Sequence, residues 1–176
     1  MVEDTLATVK EERIMLIGIM GDSHDNLPKV RQAVELFNQR KVGLVLHTGD
    51  FVAPFVVIKE LEKLSCPLIG VFGNNDGEKR GLREKIRAIG EIHLPPFTLE
   101  KEGRKILLLH DPEDLKNIKT EQYDLIVYGH THRSEIKREG RALLINPGEC
   151  GGWLTGRSSV GLVNLDRMEA ELITLP

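Results

Sequence analysis

Three short runs, Ile14–Met20, Val42–Leu46 and Leu68–Phe72, are apolar throughout rather than at alternate positions. A strand reads that way when both of its faces are covered, so these runs call for a sheet held between two other layers. Between them the spacing turns helical. Val30, Ala33, Val34 and Phe37 share a face behind Asn26 and Pro28, which serve as a helix start. Val57, Leu61 and Leu64 mark a second helix behind Pro54, and Leu82, Ile86 and Ile89 a third.

The second half changes character. Phe97–Leu109 is predicted as two strands joined at Glu102-Gly103, and Leu125–Tyr128 as another buried strand. Ser134–Asn146 and Ser159–Leu175 read as hairpins turning at Glu139-Gly140 and Asp166-Arg167. A βα alternation that runs into hairpins predicts an α/β fold with mixed sheets and helices outside. No Gly-x-Gly-x-x-Gly follows the first strand, which argues against a dinucleotide fold.

The 176 residues suit one domain, expected over 14–176, behind a polar and mobile N-terminal extension at 1–13. That extension lacks the apolar core of a secretory signal, and the longest apolar run is too short to span a bilayer. A cytoplasmic protein with no membrane partner is expected. A net charge of −3 argues against a protein that coats nucleic acid, so nucleic acid is not expected as a partner. Cys66 and Cys150 carry no metal or redox spacing and read as reduced thiols. Exposed hairpin edges allow a homo-oligomer without requiring one.

The residues just beyond each apolar strand carry the chemistry. The strands lead in turn into Gly21-Asp22-Ser23-His24, His47-Thr48-Gly49-Asp50, Gly73-Asn74-Asn75-Asp76, His110-Asp111 and Gly129-His130-Thr131-His132. Parallel strands of one sheet bring their carboxyl ends to one edge, where open α/β sheets place their sites. Each residue alone has a bland account: Asp22 and Asp50 as turn residues, His24 as a surface histidine, His110 as a helix cap. His130 and His132 flank one residue, so in extended backbone both rings point the same way. Five coincidences at corresponding positions make the bland account fail. Imidazole, carboxylate and amide oxygen without thiolate suit manganese, iron, zinc, nickel or cobalt. Seven donors exceed one tetrahedral ion and suit two, roughly 3.5–4 Å apart. Two dications against two carboxylates leave a positive centre, which favours a small phosphate-ester substrate.

Asp22-x-His24, Gly49-Asp50, Gly73-Asn74-x-Asp76, His110 and Gly129-His130-x-His132, in this order, resemble the calcineurin-like metallophosphoesterases, and most of all their small single-domain phosphodiesterase branch. The resemblance runs over about residues 14–166. It implies two mixed β-sheets packed as a sandwich and flanked by helices in a four-layer fold. It further implies one metal on Asp22, His24, Asp50 and His132, with Asp50 bridging to a second on Asn74, His110 and His130. Manganese is the first choice, with iron, zinc, nickel, cobalt or magnesium as substitutes. The activity implied is phosphodiester hydrolysis by in-line attack of a hydroxide that bridges the two metals.

Asn75 and Asp76 are the candidate catalytic pair beside these ligands, with Asp76 placed behind them as support. Many relatives carry a histidine at the position of Asn75, thought to protonate the leaving alkoxide. An amide donates a hydrogen bond but is no acid at neutral pH, so good leaving groups are expected. Asn146-Pro147-Gly148 resembles a loop in which relatives commonly continue with serine; here Glu149 comes next. A carboxylate there repels a phosphate unless it faces solvent or pairs with Arg157. The basic stretch Glu78–Arg87 reads first as a solvated helix face and second as a phosphate-steering patch. Two other functions compete. One is a non-catalytic interaction scaffold, as in a retromer subunit of the same fold with an impaired metal site. The other is a nuclease, which calls for extra domains or a basic groove. No ligand position is lost here, which favours the enzyme.

Overall fold

The computed structural model describes residues 14–176. The extension expected at 1–13 lies outside the described residues. Two mixed sheets face each other. The first has six strands in the order β11-β10-β1-β2-β3-β4 and the second has five, β5-β6-β7-β9-β8. In the first, β1 (Leu16–Met20), β2 (Leu44–His47), β3 (Leu68–Val71) and β4 (Gly90–His93) run parallel. The hairpin of β10 (Ser159–Asn164) and β11 (Glu169–Thr174) closes that sheet against β1. In the second, β6 (Arg104–Leu108), β7 (Leu125–Val127) and β9 (Ala142–Asn146) are parallel. They are edged by antiparallel β5 (Phe97–Lys101) and β8 (Glu135–Glu139).

Alternation along each strand explains the continuous apolar runs. Ile17, Ile19, Leu44 and Leu46 meet Ile106, Leu108, Leu125, Val127, Leu143 and Ile145 in the layer between the sheets. The intervening Met20 and Val45 face the helices instead. Leu107, Leu109, Ile126 and Leu144 face outward from the second sheet, toward Leu115, Ile118 and Tyr123. Successive side chains point to opposite faces, so a strand covered on both sides needs an apolar residue at every position.

Helix α1 (Leu27–Gln39) begins where expected: the Asn26 side chain accepts from Lys29 N, and proline occupies the first turn. Its Phe37 is fully buried, and a Cβ at Gly18 of β1 would come within 2.8 Å of that ring. The second helical stripe is broken in two. Helix α2 (Phe55–Lys59) ends at Glu60, and Leu61–Lys63 continues as a 3-10 turn. Glu60 is buried and binds Arg31 at 2.7 Å and Lys63 at 2.8 Å, an ion pair across elements that periodicity alone does not show. Helix α3 (Lys79–Ile86) stops before Ile89, which still packs on the core. The outer face of the second sheet is covered by the 3-10 segments Pro112–Asn117 and Thr120–Gln122.

Truncating Phe37→Ala opens a cavity over Gly18. It is expected to lower stability by about 3–5 kcal/mol in urea unfolding, because the strand beneath cannot collapse into the space.

Candidate metal centre

The five strands that lead into the candidate ligands do not lie in one sheet. β1, β2 and β3 belong to the first and β6 and β7 to the second, and the carboxyl ends of both sets meet at one rim of the sandwich. Loop-to-loop hydrogen bonds sew that rim together. Asp22 N donates to Gly49 O at 3.0 Å, His24 N to Asp50 O at 3.1 Å, and Gly129 N to His110 O at 3.0 Å. Two glycines allow the approach. A Cβ on Gly73 would stand 2.1 Å from Asp50 Oδ1, and one on Gly129 would stand 2.8 Å from Asp22 Oδ2.

Asp22, His24, Asp50, His130 and His132 all have left-handed backbones, with φ of 48°, 42°, 58°, 66° and 58°. This region is uncommon outside glycine, although Asp and His tolerate it best, and such strain gathers at functional sites. Two groups of side chains converge. Asp22, His24 and His132 bring one ligand atom each within 4.8 Å of one another, and so do Asp22, Asp50 and His110. Asp50 Oδ2 lies 3.6 Å from both His24 Nε2 and His110 Nε2. His132 Nε2 lies 3.5 Å from Asp22 Oδ1. Asn74 Oδ1 is 2.8 Å from His110 Nε2. His130 sits at the exposed margin, its ring 5.0 Å from that of His110 and its Nε2 3.8 Å from Asp111 Oδ2.

The donor set fits a divalent cation. Asp22 Oδ1 and His24 Nε2 are buried without a hydrogen-bond partner. His110 Nδ1 faces Thr48 O at 2.8 Å, so its proton belongs there. The other nitrogen then turns a lone pair toward the Asn74 oxygen, two acceptors side by side with no proton between them. Among the described residues, Asp22 and Asp50 find only histidines within ion-pair distance.

Comparison with known proteins matches residues 15–168 to the calcineurin-like phosphoesterase superfamily domain. The chain belongs to the calcineurin-like phosphoesterase superfamily. A phosphodiesterase of Methanocaldococcus jannaschii is 40% identical over 166 residues, 92% of this chain and 99% of that one. The solved structure of an archaeal phosphodiesterase superposes with a TM-score of 0.86 at 37% identity, covering 92% of this chain and all 100% of the other. YfcE, a phosphoesterase from Escherichia coli, shares the fold with a TM-score of 0.65 at 22% identity, over 92% of this chain and 100% of its own.

Around the phosphoesterase centre, several side chains hold rather than face the site. Asp76, a candidate catalytic residue by sequence, is buried with both oxygens engaged by backbone: Oδ2 accepts from Gly73 N at 2.7 Å and Asp50 N at 3.0 Å, Oδ1 from Val52 N at 2.8 Å. It staples the β2 and β3 loops together and does not face the rim. Burial pushes its carboxyl up, against the pull of those N–H groups. Asn75 clamps Asp50, donating N to Oδ1 at 2.9 Å and Nδ2 to Oδ2 at 2.7 Å. His47 is fully buried, stacked 3.6 Å from the Phe51 ring, and accepts from Gly49 N. Burial, then the neighbouring His110 and His24, holds it neutral.

Glu149 neither faces solvent nor pairs with Arg157. It is fully buried and accepts from Leu154 N, Thr155 N and Thr155 Oγ1, each at 2.9 Å. Cys150 is likewise buried, whereas Trp153 is 65% exposed with its Nε1 on His24 O at 3.1 Å. The basic helix is partly spoken for: Arg80 pairs with Glu84, while Lys79 and Arg83 lie over the Phe72 ring. No helix of the described residues is long and apolar enough to cross a membrane.

Burial first, then the charge of Asp50, pushes the Asp22 carboxyl up to about 8. A raised acid stabilises the fold below its unfolded value near 3.8, and that contribution is lost as pH rises toward about 8. A cation held by the carboxylate would reverse the loss, and protons would compete with it. The rise in Tm on adding Mn2+ is therefore expected to be larger at pH 8 than at pH 6, as thermal unfolding at both pH values will show.

Proposed function

We propose that the protein is a dinuclear metal-dependent phosphodiesterase acting on small phosphate esters. Convergence of Asp22, His24 and His132, and of Asp22, Asp50 and His110, on one rim where the carboxylates are buried and the histidines buried or half-buried carries this reading. The phosphodiesterase relative at 40% identity supports it. Asp22, His24, Asp50 and His132 would hold one ion, and Asp50, Asn74, His110 and His130 the other. Manganese is the first candidate, with iron, zinc, nickel, cobalt or magnesium as substitutes. When bound, two such cations supply a water pKa near neutrality and positive charge for the phosphoryl oxygens. The protein's part would be to fix geometry, so that water attacks phosphorus in line as the opposite P–O bond breaks.

No acid waits for that oxygen at position 75. The Asn75 amide is spent on Asp50 Oδ2 and cannot give up a proton at neutral pH. Protonation then falls to water, which suffices for leaving groups that are stable as anions. Next to His130 along the chain opens a groove of about 680 Å³ lined by Pro112, Tyr128, Thr131, Arg133, Ser134, Glu135 and Lys137. Lys137 there is shared between Glu135 and Glu139, each at 3.6 Å, so Arg133 is the cation that suits one arm of an anionic ester.

Two assays test this. After chelation, the purified protein is expected to regain activity with Mn2+ and to turn over an aryl phosphodiester at least about 10-fold faster than a dialkyl one, since general acid help is worth about 10²–10⁴-fold. Equal rates on both would sink the leaving-group reading, and no metal dependence would sink the whole. Asp50→Asn is expected to cost about 100-fold or more in kcat/KM while leaving the far-ultraviolet circular dichroism unchanged.

A further inference from the structure

The loop after β9 contains a buried carboxylate to which the hydrolytic reaction assigns no role. Glu149 Oε1 lies 3.4 Å from His132 Nδ1, and the opposite nitrogen of that ring, Nε2, faces Asp22 Oδ1 at 3.5 Å. His132 Nδ1 is buried and has no aligned hydrogen bond, so Glu149 is the acceptor poised for it. The carboxylate itself cannot swing away. Leu154 N and Thr155 N grip it, and the single Thr155 hydroxyl proton lies in reach of both Glu149 Oε2 and Arg157 O, each at 2.9 Å. Asn146, at the other end of the loop, donates its Nδ2 to Gly129 O at 3.1 Å and Thr131 Oγ1 at 2.9 Å. The loop bearing Glu149 and the loop bearing His132 are thus locked in register.

A buried carboxylate with no lysine or arginine in ion-pair reach, among the described residues, is a poor device for stability alone. We propose that Glu149 is a positioning residue for the metal centre: it accepts the Nδ1–H of His132, which leaves the Nε2 lone pair aimed at the cation shared with Asp22 and His24. Ligating histidines need their second nitrogen fixed in this way, and losing the partner typically weakens metal binding 10–100-fold. The inference rests on the proposed function of this rim as a metal centre.

A bland alternative is that Glu149 only staples Leu154 and Thr155. Glu149→Gln separates the two. Its amide oxygen can still accept from those N–H groups, but its NH2 would donate to His132 Nδ1 and impose the wrong tautomer. Mn2+ titration by calorimetry is expected to show two ions in the native protein and, in E149Q, one of them weakened about 10–100-fold with the other within about twofold. Nitrogen-15 shifts of His132 in metal-free protein should report a proton on Nδ1 in the native chain and on Nε2 in E149Q. Unchanged affinity and unchanged tautomer in a folded E149Q would overturn the proposal. A native protein that binds no Mn2+ would overturn the metal reading instead, and the tautomer shifts would still decide what Glu149 does.

Discussion

Asp22 and Asp50 are buried carboxylates at one rim, with histidines as their only partners in ion-pair reach among the described residues. Two such charges are costly to bury, since burial and mutual repulsion both favour protonation. The surrounding structure is organised to keep them there. Asn75 holds both oxygens of Asp50, and the backbone N–H of His130 holds one oxygen of Asp22. Asp76 ties the neighbouring loops behind them. The remaining lone pairs point at histidine nitrogens, an arrangement that a divalent cation satisfies and a protein side chain does not.

The sandwich makes this possible because its two sheets contribute to the same rim. Parallel strands in each sheet end on that side, and the apolar layer between them fixes the spacing of the ends. Close approach then falls to glycines and to left-handed candidate ligand residues, which turn side chains inward from tight loops. Strain at Asp22, Asp50 and His132 is held by the packed strands beneath. Strands carry the candidate ligands, and the more open margin carries His130 and the adjoining groove.

Much of this was legible in the sequence because period and punctuation are local. Continuous apolar runs announced strands covered on both faces, and the residues after them announced the rim. Three features were not legible, each for a non-local reason. Helix α2 gives way to a 3-10 turn at Glu60, whose carboxylate binds Arg31 from another helix. Strand β4, at Gly90–His93, is short and only half apolar, and it exists because β3 offers it a parallel edge. Glu149 looked like an obstacle to phosphate because nothing in the chain near it foretells that His132 lies beside it.

By itself the sequence determined the strand and helix alternation, the ligand types and their order, since these follow from side-chain period and donor chemistry within short stretches. Tertiary structure alone decided the three-and-two division of the candidate-ligand strands between sheets, the backbone N–H groups that Asp76 binds, and the engagement of Asn75 with Asp50. It also decided which groups stand behind the ligands. The physical reason is that hydrogen-bond partners and burial belong to pairs of residues far apart in the chain, and only packing brings such pairs together.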